Sequence, residues 1–468
     1  QFQKIETKNK YIIKTKIVPL LWWFHLQPER DNVVIRKESL HLAPIPSFKT
    51  LSPIQREETN CTNRWIHLRR LPRRFNLDLL SNCSAYEPLF PDFCPYLLNH
   101  GLGPRTHNRS RSWFRSDPLL LELVFHRRIL EYPCLTRDPS KADAIFLPYY
   151  SALDSLRYLY GPEVNNSAEH GRKLFEFLQD DDGWIWRRNN GFDHFLAMSR
   201  PAWDFSRPPD ADPIWGTSFL ELPEFYNITA LIVEGRAWPW QEHAIPYLTS
   251  FHPPNLALFQ AWVRRVRNSN RKTLMLFAGG GGVGSTPNIR RSIRDECENG
   301  TVMEEGDLYS KVCEIVDCAN GICEHDPIRY MKPLLEANFC LQPPGDTPTR
   351  RSTFDSLTAG CIPVFFEDQS SRSQYRWHLP EEAYEEFSVF IPKEDVVFKG
   401  LKIVDVLIGI PEEQLRRMRE KVIELMPRIL YRHHGSSPGL KSKKDAFDIA
   451  IDGVLKKMNA IRRGDDEM

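Results

Sequence analysis

The sequence predicts an α/β protein of two facing Rossmann-like domains, with helices at the C-terminal end closing the molecule. Its 468 residues, 41% hydrophobic and 26% charged, suffice for a large core and exceed what one compact domain usually holds. From about residue 60, short apolar runs alternate with amphipathic stretches, as strands alternate with helices in a doubly wound sheet. The alternation breaks near residue 255 and resumes. This sets an N-terminal domain at 60–255, a C-terminal domain at 256–430, and a final helix within 431–468 that packs back on the body.

Residues 1–59 are polar and irregular, interrupted by Pro44, Pro46 and Pro53, and read as a poorly ordered stem or linker. The apolar run Ile17 to Leu26 contains Pro19 and His25 and spans ten residues. A bilayer-crossing helix needs about 20, so any anchor is expected upstream of Gln1. Leu119, Leu120, Leu123, Val124 and Leu130 recur at helical spacing, and Ala144 to Leu147, stopped by Pro148, reads as a buried parallel strand. Leu231 to Val233 reads as another strand, with Glu234 at its carboxyl end. Leu256, Phe259, Trp262, Val263 and Val266 mark a helix, and Thr273 to Ala278 a strand that runs straight into glycines. A strand from Phe339 to Leu341, a loop from Gln342 to Arg351, a helix from Ser352 to Ala359 and a strand from Ile362 to Phe366 form a crossover unit. Two helical stripes end the chain: Leu415, Met418, Val422 and Leu425, then Phe447, Ile451, Val454, Met458 and Ile461.

Lys+Arg 62 against Asp+Glu 61 gives a net charge of +1, so no bulk field draws nucleic acid or an anionic membrane. Ten cysteines, among them Cys61, Cys83, Cys94 and Cys134, and six Asn-x-Ser/Thr sequons starting at Asn60, Asn82, Asn108, Asn165, Asn227 and Asn299 favour a secretory lumen. Cys297, Cys313, Cys318 and Cys323 form a later cluster. The gaps among Cys313, Cys318, Cys323 and His325 lack the paired knuckles of structural zinc sites, and a disulfide-pinned loop fits better. The 12 Trp suit sugar stacking and core filling alike.

In open parallel sheets ligands bind beyond the carboxyl ends of strands. The run Gly279-Gly280-Gly281-Gly282-Val283-Gly284 formally satisfies G-x-G-x-x-G, with Pro287 placed to open a helix. Its N–H groups suit a diphosphate, and a surface loop reads equally well. Arg350-Arg351-Ser352 put fixed positive charge at a helix amino end, an anion site, while Ser352 and Asp355 also fit a simple capping box. Gln342-Pro343-Pro344-Gly345-Asp346 is a stiff loop leading to these arginines, able to line a base or sugar pocket or to be an ordinary turn.

The segment from Arg350 to Phe366, Arg-Arg-Ser-Thr-Phe-Asp-Ser-Leu-Thr-Ala-Gly-Cys-Ile-Pro-Val-Phe-Phe, closely resembles the signature of the exostosin-like glycosyltransferases, and within them that of the plant xyloglucan galactosyltransferases. Phe146-Leu147-Pro148-Tyr149-Tyr150, Asp193-His194-Phe195, Trp203-Asp204-Phe205, Ile245-Pro246-Tyr247, Phe251-His252-Pro253 and Ser388 to Pro392 extend the resemblance over about 60 to 460. The resemblance implies inverting transfer from a UDP-sugar onto xyloglucan on a two-domain, B-type glycosyltransferase fold, with the donor on the C-terminal domain. It implies that Arg350 and Arg351 grip the diphosphate, that Asp355 bonds the ribose hydroxyls, and that Gly279, Gly280 and Gly281 border the donor, joined by Gln342, Gly345, Asp346 and Ser352. It further implies a single-pass type II protein of the Golgi membrane with a lumenal catalytic domain, and partners in a Golgi glycosyltransferase complex.

No metal and no resident cofactor are expected. Asp210-Ala211-Asp212 matches the motif that holds manganese in other glycosyltransferases, but Pro208, Pro209 and Pro213 set it in a loop rather than at a strand end. Inversion by one displacement needs a base. Asp154, Asp193 with His194, and Glu234 are the candidates, and each also reads as a buried, hydrogen-bonded group. The family usually carries Gly-Arg-Asp-His where this chain has Gly191-Phe192-Asp193-His194. That departure keeps a non-catalytic Golgi partner open as a second reading, beside another donor (UDP-galacturonic acid, UDP-arabinose, UDP-xylose) or another wall polymer (xylan, pectin).

Overall fold

A computed structural model describes residues 60–464, apart from 82, 84–91, 107–110, 181–182, 210–214, 237–240, 281–287, 300–308, 319–322 and 324–325. The stem, the run Ile17 to Leu26, the sequons at Asn82 and Asn108, Asp210 to Asp212, Gly281 to Gly284, Pro287 and His325 lie outside the described residues.

Strands β1 (Ile66–Leu68), β2 (Leu135–Thr136), β3 (Ala144–Phe146), β4 (His194–Met198), β5 (Thr229–Ile232) and β6 (Glu242–Ala244) form one sheet in the order β2-β1-β3-β4-β5-β6. All its pairings are parallel. Strands β7 (Thr273–Ala278), β8 (Lys311–Val316), β9 (Ala337–Gln342), β10 (Ile362–Phe365) and β11 (Val389–Phe390) form a second parallel sheet, ordered β11-β10-β9-β7-β8. These are the two α/β domains of the B-type glycosyltransferase fold that the sequence predicts.

Each sheet grows one way from its first strand and then continues on the other side. The strand order therefore switches between β1 and β3 and again between β7 and β9, where crevices open at the carboxyl ends. Helices cover both faces, which explains why β3, β4, β5 and β9 are buried along their whole length. The helices that matter below are α1 (Leu121–Ile129), α2 (Ser151–Leu159), α3 (Leu256–Arg267), α4 (Ile289–Glu298), α5 (Pro327–Glu336), α6 (Arg351–Thr358), α7 (Glu412–Ile429) and α8 (Ala446–Arg463).

Two large cores correspond to the two sheets. In the second, Trp262 of α3, Phe354 of α6 and Leu425 of α7 pack with β7, β9 and β10. In the first, Phe447, Ile451, Val454 and Met458 of α8 pack with Phe146, Phe195 and Leu231. Thus α8, last in sequence, belongs to the first core. Asp445 caps it in a two-way capping box with Asp448 and pairs with the buried Arg128 of α1 at 2.6 Å, while Arg64 reaches Asp452 and Arg462 reaches Asp143.

All ten cysteines are paired: Cys61–Cys134, Cys83–Cys94, Cys297–Cys313, Cys318–Cys323 and Cys340–Cys361. The later cluster holds disulfides, as its spacing suggests. Among the described residues no helix is long and apolar enough to cross a membrane.

Candidate active site

The site is built at the β7/β9 switch point. β7 ends at Ala278, and the Gly279 N–H keeps the strand pairing going by donating to the Val316 carbonyl at 3.0 Å. Helix α4 then starts at Ile289, capped by the Asn288 side chain, which accepts from the Arg291 N–H. This brings Arg290, in the first turn, back over the glycines. Its Nη1 donates to the Gly280 carbonyl (3.2 Å) and its Nε to the Pro344 carbonyl (2.9 Å) in the loop that follows β9.

From that same loop comes Arg350, whose Nη1 donates to Thr347 Oγ1 (3.0 Å) and the Thr349 carbonyl (2.7 Å). The two guanidinium groups meet over Gly345. A Cβ on that glycine would lie 1.7 Å from Arg350 Nη2 and 2.6 Å from Arg290 Nη2, so a side chain there would have to push the two guanidinium groups aside. Burial, together with the Arg350 charge, pushes Arg290 down to about 10, with Asp346 acting in the opposite sense. Two cations propped by neutral oxygens, beside the solvent-exposed Gly345 and Asp346, make an anion-binding corner.

The other predicted donor residues have different tasks. Arg350, extended at φ −145, is the N-cap of α6 without a side-chain cap, so the Ser352–Asp355 capping box does not form. Ser352 Oγ instead donates to Gln342 Oε1 at 2.7 Å, and Gln342 Nε2 donates to Ser356 Oγ at 2.9 Å. Gln342 thereby clamps α6 onto β9. Arg351 crosses to the first domain, donating to the Ser116 carbonyl (2.9 Å) and Ser250 Oγ (2.8 Å), and approaches Asp355 at 3.5 Å. Arg350 and Arg351, expected to grip the diphosphate together, therefore point to different partners in this structure. Arg290 is the partner of Arg350, and Arg351 joins the domains. Asp355 is 3% exposed beneath Arg351.

Across the cleft, Glu234 follows β5. Its Oε2 accepts from the Thr349 N–H (2.7 Å) and Thr349 Oγ1 (2.5 Å), and Tyr247 OH lies 3.0 Å from the same hydroxyl. Burial raises the Glu234 carboxyl above the usual range, against the pull of the Thr349 bonds and the Arg350 charge. The other base candidates lie elsewhere. Asp154 is in α2, buried among aromatic rings, bonded to Tyr149 OH (2.5 Å) and paired with Arg157 (3.0 Å). Asp193 and His194 open β4, so they sit at the amino end of the sheet, away from the cleft. Burial opposes the charge on Asp193, but His194, Arg188 and Asn189 hold its carboxyl at about 2. Arg188 supplies an arginine contact in the same turn as Phe192, which is remote from the anion corner.

Two further residues escaped the sequence reading. Thr349 lies beside the arginines that drew attention. Glu122 of α1 is buried where β3 and β4 end, accepting from Ser151 Oγ, the Ala152 N–H and the Ser199 N–H, and burial pushes it up to about 8. Arg290 carried a readable signal, a cation in the first turn of a helix after a glycine run. Among the described residues the only cluster shaped for a metal is Cys83, Asp92 and Cys94, whose two sulfurs are joined in a disulfide.

Residues 60–407 match the Exostosin GT47 domain. Over 402 residues, 86% of this chain and 92% of the relative, the sequence is 65% identical to "Probable xyloglucan galactosyltransferase GT19" of Arabidopsis thaliana. It is 36% identical over 422 residues (89% of this chain, 66% of the relative) to "Xyloglucan galactosyltransferase MUR3", and 35% identical over 410 residues (86% and 76%) to "Xyloglucan galactosyltransferase XLT2", both from the same plant. A cationic corner at one switch point, a carboxylate facing it from the other domain, and this degree of identity lead to one conclusion: the chain belongs to the exostosin GT47 family of glycosyltransferases.

Proposed function

We propose that this protein moves galactose from UDP-galactose onto side chains of xyloglucan, with inversion, in the Golgi lumen. The observation that carries the reading is the convergence of Arg290 and Arg350 over Gly345 at the β7/β9 switch point. The 65% identity to a galactosyltransferase directs the choice of sugar and acceptor. Five disulfides suit an oxidising compartment.

In this reading the diphosphate lies over Gly279, Gly280 and Gly345, and Arg290 and Arg350 neutralise the charge that grows on it as the glycosidic bond breaks. Fixed cations in a half-buried site stabilise that charge without reorganisation, the task a divalent ion performs in other enzymes. Asp355, at the same helix amino end, is the candidate for the ribose hydroxyls. Glu234, at the facing strand end, takes the acceptor hydroxyl's proton. Its raised affinity for protons matches the role, because an effective base has a pKa near the operating pH.

The test is a donor screen with xyloglucan oligosaccharides in EDTA, read by product mass. A hexose gain from UDP-galactose alone supports the proposal. A pentose or uronic acid gain moves the assignment to another donor, activity only on xylan or pectin moves it to another polymer, and no transfer with intact UDP and glucan binding points to a non-catalytic Golgi partner.

A further inference from the structure

The acceptor-side wall of the cleft carries an indole in a costly position. Trp203 is 58% exposed, more than any other tryptophan among the described residues. The exposure does not come from a loose loop. Ala202, Asp204 and Phe205 are 3%, 5% and 0% exposed, and the turn that holds them is bonded throughout. The Asp204 carboxylate accepts from Arg200 Nε (2.6 Å) and Trp215 Nε1 (2.8 Å), and the Thr217 N–H donates to the Asp204 carbonyl at 2.8 Å. With both neighbours anchored inward, the ring at 203 is presented outward on a rigid mount.

Position separates it from the two other exposed tryptophans. Trp65 directly precedes β1 and Trp184 lies in the helix Gly183–Arg187 before β4, so both lie toward the amino ends of the strands, while Trp203 follows the carboxyl end of β4. Its turn is tied to the reaction centre, because the Ala202 N–H donates to the Glu234 carbonyl at 2.9 Å. An indole face presents an apolar, electron-rich plane, and a β-linked pyranose presents a complementary face of C–H bonds.

We infer that Trp203 is the acceptor platform, stacking on a glucan ring of xyloglucan removed from the residue that reacts at Glu234. The inference rests on the reading of the chain as a xyloglucan-modifying enzyme. It concerns binding, so it can be tested apart from turnover. Asp204 and Arg200 fix the platform's angle, and the acceptor's length, rather than its reacting sugar, decides how much of the contact is used.

Affinity electrophoresis of the folded protein through gels with and without xyloglucan measures the contact directly. Trp203→Ala and Trp203→Gln are each expected to weaken xyloglucan binding at least about tenfold and Trp203→Phe less than about threefold, from the loss or retention of a stacked ring. UDP binding stays at the wild-type value in all three, which also reports that each variant is folded. If Trp203→Gln is retarded as strongly as wild type, or if wild type itself is not retarded by xyloglucan, the platform is refuted. If wild type is retarded and the variants are not, yet no galactose is transferred, the platform stands and the proposed activity fails.

Discussion

Arg290→Ala should cost this protein about two orders of magnitude in UDP affinity. In the free protein the guanidinium is held down from its ordinary 12.5 to about 10, by burial and by Arg350. Each pKa unit is 1.36 kcal/mol, so keeping that cation charged costs roughly 3 kcal/mol. A diphosphate that restores the ordinary value returns about that amount, equivalent to about a hundredfold in the dissociation constant. Calorimetric titration of UDP in EDTA at pH 7.5 measures it. Arg350→Ala is expected to lose a similar factor. The double variant should lose less than the product, because deleting either guanidinium relieves the repulsion on the other. Arg351→Ala should change UDP affinity less than about fivefold while lowering the thermal transition, since its contacts with Ser116 and Ser250 join the domains. Bound diphosphate returns Arg290 toward its normal pKa, so titrations near pH 10 should show proton uptake that vanishes at pH 7.5. Wild-type affinity in Arg290→Ala, or a hundredfold loss confined to a folded Arg351→Ala, would refute this arrangement of charges.

Three other outcomes are expected. Glu234→Gln should lower kcat by about 10²–10⁴-fold with UDP affinity retained; a turnover within a few fold of wild type would remove Glu234 from the role of base. Glu122 is protonated up to about pH 8 when folded but titrates near 4.5 when unfolded, so the unfolded chain binds fewer protons between these values and stability falls as pH rises through them. The full term is roughly 4–5 kcal/mol. Glu122→Gln should flatten the pH dependence of denaturant midpoints between pH 5 and pH 8, and parallel curves for the two proteins would contradict it. Replacing Cys340 and Cys361 by Ala opens a closure of 21 residues and should cost about 3 kcal/mol in denaturant unfolding; an unchanged midpoint would show that the bond constrains nothing.

The sequence displayed elements whose residues have both a strong period and a clear stop. β7 emerges at its predicted bounds because six apolar-leaning residues meet a glycine run, and α7 and α8 show as stripes because each buries one face. Of the strands left unread, β4 carries an apolar run, Phe195 to Met198, that was passed over, while β1, β2, β6, β8 and β11 lack such cues. β2 and β11 have two residues each, β6 reads Glu-His-Ala, and β8 alternates Lys-Val-Cys-Glu at a sheet edge. In the site, the glycine turn and Arg350 were visible as local chemistry. Which arginine stands beside Arg350 was not, because Arg290 is 60 positions away and only the β7/β9 pairing brings it near. Asp154 and Glu234 looked alike as carboxylates near strand ends. Aromatic packing around one and the Thr349 bridge to the other distinguish them, and both are tertiary facts.

The placement of α8 makes the first domain discontinuous. Its sheet is finished by Ala244, yet part of its interior arrives some 200 residues later with Phe447 to Met458. During synthesis the half that is made first must wait, with Phe146, Phe195 and Leu231 incompletely covered, until the last segment leaves the ribosome. The first domain cannot be isolated by cutting the gene at the domain boundary. A premature stop just before α8 would spare the second sheet's own core and uncover the core of the first, which lies farthest from it in sequence.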